Sequence, residues 1–165
     1  MHNHVLHHVA IFCAGVHGEH RWELYETVRS AAYKVLATHP SSEIQVLTNA
    51  LCRDDPREEL AWRHVVELAI ARGVPLVPVV LEASAEENAR RVQSPDRIGV
   101  ALSDPVVLED MRLRYSIQRP AVAELVVVDV TTLKVEQAVD AIVARLDLMR
   151  ADLRPATPAH LQMSS

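Results

Sequence analysis

Arginine dominates the cationic side chains of this sequence, with 15 Arg against 2 Lys, so a catalytic lysine is Lys34 or Lys134. The arginines best placed for chemistry are Arg90, Arg91, Arg97 and Arg114. A guanidinium is a fixed, permanently charged fork that suits phosphate oxygens. Arginine at helix ends and in loops also serves as solvated or ion-paired surface, and both readings are open here. Asp54 and Asp55 follow an apolar run and precede Pro56. A carboxylate at that place either meets a ligand, directly or through water-held Mg²⁺, or caps the helix that follows. His2, His4, His7 and His8 cluster at one end, but no carboxylate or Cys stands beside them, and no metal site is expected. Nucleophilic catalysis has little support. Ser41 and Ser42 lie in a turn without a Gly-x-Ser-x-Gly elbow, and Cys13 and Cys52 sit among apolar residues.

The elements that must position these residues follow from periodicity and punctuation. Residues 4–12 suit a short strand or the start of a helix, and Gly15 and Gly18 predict a loop. Residues 19–38 carry a helical stripe of Trp22, Tyr25, Val28, Ala32, Val35 and Leu36, ended by Pro40, Ser41 and Ser42. Residues 43–51 read as a strand. Asp54-Asp55-Pro56 opens a helix to about Arg72, with Gly73 placed to end it. Residues 75–83 predict the next strand, and Ser84-x-x-Glu87 starts a helix to about Val92. Residues 93–103 read as an exposed loop. Ser103-Asp104-Pro105 starts a helix to about Ile117, and Pro120 breaks it. Residues 124–130 are apolar on both faces, as in a covered parallel strand; Asp129 within them reads as structural. Thr131 and Thr132 are expected to cap a helix over 134–149, with Val135, Ala138, Val139, Ile142 and Leu146 inward. Strands alternating with helices predict an α/β domain over residues 1–150, a parallel sheet covered by helices, and a loose tail over 151–165.

Composition narrows the function. The chain has 165 residues, 49% hydrophobic and 24% charged, with a net charge of −5. That balance suits one globular domain rather than a disordered chain. It offers no basic stripe interleaved with aromatics, so nucleic acid is not an expected partner. No apolar run approaches the roughly 20 residues of a membrane span. The first residues carry no Lys or Arg ahead of an apolar stretch, so they do not read as a signal peptide, and a cytoplasmic protein is expected.

Taken in order, several short segments carry a resemblance. Arg90-Arg91 ends a helix after Val79-Val80-Leu81-Glu82; Ser94-Pro95-Asp96-Arg97 and Ser103-Asp104-Pro105 follow; Leu125 to Asp129 and Thr131-Thr132-Leu133 come last. The order resembles the C-terminal part of small P-loop kinases, in the bacterial group similar to shikimate kinase, gluconate kinase and chloramphenicol phosphotransferase. The opening His2-Asn3-His4 resembles an element found after the first helix in some members. The resemblance spans about residues 2–149. It implies a P-loop NTPase-type sheet and ATP-dependent phosphoryl transfer, with Mg²⁺, to a hydroxyl of a small molecule. By resemblance, Arg91, Arg97 and Arg114 would neutralise the transferring group around a lid of about residues 93–104. Arg90, Val130, Thr131 and Thr132 would meet the nucleotide, and His2, Asn3, His4 and Asp54 the acceptor. The chain departs from the family in one respect. It contains no G-x-x-x-x-G-K-[ST] loop, and Gly15-Val16-His17-Gly18 has the wrong spacing and no Lys. It therefore reads as incomplete at its N-terminus, through a misassigned start, a truncated gene or natural loss. The alternative expectation is a non-catalytic kinase-like protein or interaction module, with a homodimer as its expected form. Family lids often carry a Lys after the Arg; residues 98–102 contain none.

Overall fold

The computed structural model describes residues 3–53, 55–97 and 102–161, the side chains of His4 and Asp96 aside. Among these residues the fold is mixed helix and sheet, with six α-helices and a two-stranded parallel sheet. The chain divides into two compact units: everything up to Leu76 together with Arg154–Leu161, and Val77–Leu153.

The first unit is helical. Residues 4–12 resolve as helix, within α1 (Asn3–Ala14). α1 pairs with α2 (Arg21–Leu36), burying Leu6 and Ala10 against Tyr25, with Trp22, Leu24, Val28 and Ala32 around them. The link between the two helices depends on glycine. A Cβ on Gly18 would strike the Ala14 carbonyl, so no side chain fits there without moving backbone. The inward face of α2 differs from the expected stripe. Arg29 and Tyr33 are buried there, whereas Val35 is 61% exposed. The stripe runs through positions 22, 25, 29 and 33, one residue out of step with the apolar pattern in its second half.

α3 (Pro56–Arg72) begins and ends as its sequence predicts. The Asp55 carboxylate accepts from the Arg57 backbone N–H at 2.9 Å, Pro56 occupies the first turn, and Gly73 stops the helix at φ +62. Its face of Ala61, Trp62, Val65, Val66, Leu68 and Ala69 is buried. Tyr33, Val65 and Leu68 form a second core with Leu36, Leu47 and Leu76. The strand expected over 43–51 is not formed. Thr48 and Cys52 make isolated bridges only, and Ile44 and Val46 are 89% and 67% exposed. Local bonds hold this segment instead. Gln45 Nε2 donates to the Leu36 carbonyl at 3.1 Å, and Arg72 Nη2 donates to the carbonyls of Pro40 and Glu43 at 2.6 and 2.8 Å. Residues 154–161, part of the expected tail, are instead built into this unit. Ala156 N–H donates to the Val74 carbonyl at 2.9 Å, and Trp62 Nε1 donates to the His160 carbonyl at 3.0 Å.

The second unit holds β1 (Val79–Glu82) and β2 (Val126–Asp129), parallel and in register from Val79↔Val126 to Glu82↔Asp129. Both are shorter than their apolar runs. Pro75 and Pro78 have no N–H to give a ladder, so β1 starts after them; the Pro78 carbonyl still accepts from Val126 N–H at 2.9 Å. The Ser84 hydroxyl accepts from Glu87 N–H at 3.1 Å and opens α4 (Ala85–Val92). A short 3₁₀ turn, Pro95–Arg97, precedes α5 (Pro105–Arg114), which Asp104 caps through Val106 N–H at 2.8 Å. α5 stops three residues short of the expected Ile117. α6 (Val135–Met149) is capped at Lys134, whose N–H donates to Gln137 Oε1 at 2.9 Å, rather than by Thr131 or Thr132. Its packing face is also shifted. Ala138, Ala141, Ile142 and Met149 meet Val126, Val128 and Val130, whereas Val135 and Val139 are exposed. The sheet is not covered throughout: within this unit Val79, Leu81 and Val127 remain exposed. No helix among the described residues is long and apolar enough to cross a membrane.

Candidate functional site

The first unit contains a cleft of about 320 Å³. Three helices and one extended segment build it. α1 contributes Asn3 and His7, four residues apart on one helix face. α2 contributes Trp22, Tyr25, Glu26 and Arg29, a complete i, i+3, i+4, i+7 stripe. Thr48 and Asn49 come from the segment that fails to form a strand, and Arg57 and Glu58 from the first turn of α3. The backbone ties α1 to that segment: Asn3 N–H donates to the Thr48 carbonyl at 3.3 Å.

One wall is aromatic. His7 stacks on Trp22 with ring centres 5.3 Å apart and an 18° angle between planes, and Tyr25 meets Trp22 edge-on at 6.0 Å. The guanidinium carbons of Arg21 and Arg57 lie 4.4 and 4.8 Å from the Trp22 ring centre, and that of Arg29 lies 4.8 Å from Tyr25. Such contacts add cation–π attraction to packing.

The floor is ionic. Arg29 is 1% exposed, and its Nη2 donates to Glu26 Oε1. Arg29 Nε and Glu26 Oε2 have no hydrogen-bond partner, although Glu26 Oε2 lies 3.7 Å from His64 Nδ1. Burial, followed by the Arg29 charge, pushes the His64 pKa down, which favours the neutral ring. Burial also holds the two tyrosines in the phenol form, Tyr25 upward and Tyr33 up to about 12. The Asn3 side chain hydrogen-bonds the Tyr25 hydroxyl, and Asn49 that of Tyr33; both act to lower the phenol pKa, as donors do. With their NH₂ groups so used, the Oδ1 atoms of Asn3 and Asn49 are buried acceptors without partners.

Glu58 is held in an environment that disfavours its charge. Burial, then the Asp55 carboxylate, raise its pKa above the usual range, while Arg29 and Arg57 oppose them. The folded state therefore holds the Glu58 proton more tightly than the unfolded chain does. Stability is full below the ordinary value of 4.5 and declines as pH rises through the folded value. Glu58→Gln is expected to raise the melting temperature at pH 7, and the gain should shrink toward zero near pH 4. Thermal melts of both proteins across that range check it; an equal gain at all pH values would contradict the linkage.

No family model, curated protein or solved structure matches this chain. The site therefore rests on its own geometry.

The residues singled out from sequence fall in different places. Asn3 lines the cleft. His2, Asp54 and the side chain of His4 lie outside the described residues. In the second unit, the turn after β2 gathers several others. Arg91 donates through Nε to Glu87 Oε1 and through Nη2 to the Val130 carbonyl, each at 2.6 Å. Arg90 grips both Glu87 oxygens at 2.7 Å. These hydrogen bonds, Arg90 first, draw the Glu87 pKa down to about 2, so it stays charged well into the acid range. Thr131 Oγ1 accepts from Ser84 N–H at 2.9 Å, joining the ends of β1 and β2, and Thr131 N–H donates to Asp129 Oδ1 at 2.8 Å. Thr132 is exposed in the same turn. Arg97 and Arg114 are held on their own segments, Arg97 by the Leu102 carbonyl at 3.2 Å and Arg114 by Asp110 at 2.9 Å. Among the described residues, no group of three His, Cys, Asp or Glu is placed to hold a metal ion.

Sequence reasoning passed over most of the cleft. Trp22 and Tyr25 read as part of a helical apolar stripe and Asn49 as part of a strand, while Glu26, Arg29, Arg57 and Glu58 carry no pattern that marks them as site residues. One signal was present: Tyr25-Glu26-x-x-Arg29 puts an ion pair on the inward stripe of a helix, where a charge persists only if paired.

Proposed function

We propose that this chain is the acceptor-binding and lid portion of a small-molecule kinase, serving ATP-dependent phosphoryl transfer to a hydroxyl. The reading extends to the P-loop type of its sheet and to a cytoplasmic setting. What supports it most is the first-unit cleft. A carboxylate of raised basicity, Glu58, stands with Thr48, Asn49 and an aromatic wall around a volume suited to one small molecule. A hydroxyl seated there has a proton acceptor in Glu58, the role a carboxylate plays for the attacking oxygen in phosphoryl transfer. The Arg29–Glu26 pair forms a charge-neutral floor beneath it. In the second unit, Arg91 holds the Val130 carbonyl and so fixes the turn that the resemblance assigns to the nucleotide.

Mg²⁺ accompanies ATP in this chemistry as charge neutraliser. The described residues do not fit it: among them no group of three His, Cys, Asp or Glu comes together to hold a metal ion. No step is therefore drawn through the metal. A second reading is favoured by the sequence itself, which has no phosphate loop in its 165 residues. On it, the protein is a non-catalytic relative that associates through exposed sheet residues such as Leu81 as a homodimer.

Calorimetric titration with Mg·ATP separates the two. On the kinase reading, the chain binds with micromolar Kd, and Arg97→Ala weakens binding about tenfold, a loss near 1.4 kcal/mol. A folded protein that gives no heat with Mg·ATP, and sediments as a dimer, overturns the kinase reading in favour of the second.

A further inference from the structure

α1 carries more apolar surface than its packing on α2 uses. Residues 3–18 contain no Asp, Glu, Lys or Arg, so no acidic or basic side chain marks either side of this helix for water. Leu6 and Ala10 are buried against Tyr25 of α2. A second face, made of Val5, Val9 and Phe12, stands in solvent, and Phe12 is 91% exposed. Val16, exposed in the turn after the helix, continues the same spacing. A helix that is apolar all round is normally buried all round, so this second face calls for cover.

The spacing identifies the cover. Positions 5, 9, 12 and 16 are separated by 4, 3 and 4 residues, the alternation of a two-helix seam. That series reads the same in both directions. A two-fold axis between Ala10 and Ile11 therefore sets Val9 opposite Phe12 of a second, antiparallel copy, and Val5 opposite its Val16. Charge agrees with this. Each chain has a net charge of −5, so copies repel in general, but residues 3–18 let two copies meet with no acidic or basic side chain opposed. A lipid surface is a poorer match, because an interfacial helix holds anionic headgroups with Lys or Arg and this one has neither. The area suits a modest dimer. The four side chains present on the order of 400 Å² per copy, the size of the largest apolar patches on ordinary monomers. Doubled across the axis and widened by its rim, the contact reaches about 1,000 Å², the low end for a specific interface and a micromolar rather than nanomolar affinity.

We propose that this face of α1 is a self-association surface, on which a second copy of the chain packs antiparallel through Val5, Val9, Phe12 and Val16. The inference stands apart from catalysis, and it moves the contact from the sheet residues of the second reading to the first unit.

Sedimentation equilibrium of the full chain tests it. The wild type is expected to dimerise with a micromolar Kd. Phe12→Glu and Val9→Lys should each weaken the dimer at least about tenfold, because each sets an unpaired charge in an apolar seam. Circular dichroism should not change, since both side chains are exposed. If it does change in Phe12→Glu, Val5→Glu on the same exposed face takes its place. An equimolar mixture of Phe12→Glu and Val9→Lys should recover the dimer. In the mixed pair the introduced ammonium faces the introduced carboxylate, and Val9 of one copy still faces Phe12 of the other. Leu81→Glu should leave the dimer intact. A wild type that stays monomeric at submillimolar concentration overturns the proposal, whether or not phosphatidylcholine vesicles capture it. So does a Phe12→Glu variant that dimerises like the wild type, or a dimer that Leu81→Glu abolishes and Phe12→Glu does not. A mixture that stays monomeric overturns the antiparallel pairing. Mg·ATP titration of the monomeric Phe12→Glu variant reads the kinase question separately, so either reading can fail without the other.

Discussion

Arg29→Met is expected to destabilise the first unit by about 3–5 kcal/mol, the loss typical of removing one partner from a buried ion pair. The reason lies in what remains. Arg29 is 1% exposed and Glu26 28% exposed, so the substitution leaves a largely desolvated carboxylate with only a neutral imidazole near it. Met fills much of the volume, so cavity formation is the smaller term. Urea unfolding followed by circular dichroism reads the effect. The double variant Glu26→Gln/Arg29→Met is expected to recover most of the loss, because it removes the orphaned charge as well. If the single variant unfolds within about 1 kcal/mol of the wild type, the guanidinium is not buried in solution and the cleft floor described above does not hold.

Trp62→Ala should cost a comparable amount, about 3–5 kcal/mol, through a different mechanism. Trp62 is 5% exposed on the inward face of α3, and its Nε1 holds the His160 carbonyl at 3.0 Å. The substitution opens a cavity and frees the returning segment together. Trp62→Phe separates these effects, since it keeps most of the ring and loses only the hydrogen bond, at about 0.5–1.5 kcal/mol. Hydrogen exchange at Ala156 N–H, bonded to the Val74 carbonyl, reports the second effect. It should accelerate strongly in Trp62→Ala and modestly in Trp62→Phe. Unchanged protection in Trp62→Ala would show that the segment is held by other contacts.

Helix boundaries were the most legible part of this fold. Asp55-Pro56, Ser84-x-x-Glu87 and Asp104-Pro105 each start a helix because a side-chain oxygen at that place satisfies a backbone N–H that no turn of helix can reach. These are local bonds, written in neighbouring residues. Strands depend on partners far away. Residues 43–51 alternate as a strand does, yet Ile44 stands 89% exposed because nothing pairs beside it. The inward faces of α2 and α6 depart from the apolar pattern for a related reason: an apolar count assigns Val35, Val135 and Val139 to the core, while the neighbours that pack decide for Arg29 and Ala141. The cleft was hidden because its floor is made of charges. Only the pairing of Arg29 with Glu26 makes a buried arginine tolerable, and pairing is a property of the folded helix. Of the acceptor residues that the resemblance implies, Asn3 lines the site, and His2, Asp54 and the side chain of His4 lie outside the described residues.

The return of residues 154–161 to the first unit has a consequence for biosynthesis. Among the described residues the second unit is the single stretch Val77–Leu153, whereas the first needs a segment made about 80 residues after its helices. During translation at roughly 5–20 residues per second, α1 to α3 wait several seconds for the strand of chain that Trp62 anchors. The second unit has all its described residues earlier. Ribosome-bound nascent chains arrested before residue 154 would therefore display an unfinished helical unit, its Trp62 indole without the His160 carbonyl, and offer chaperones the apolar face of α3.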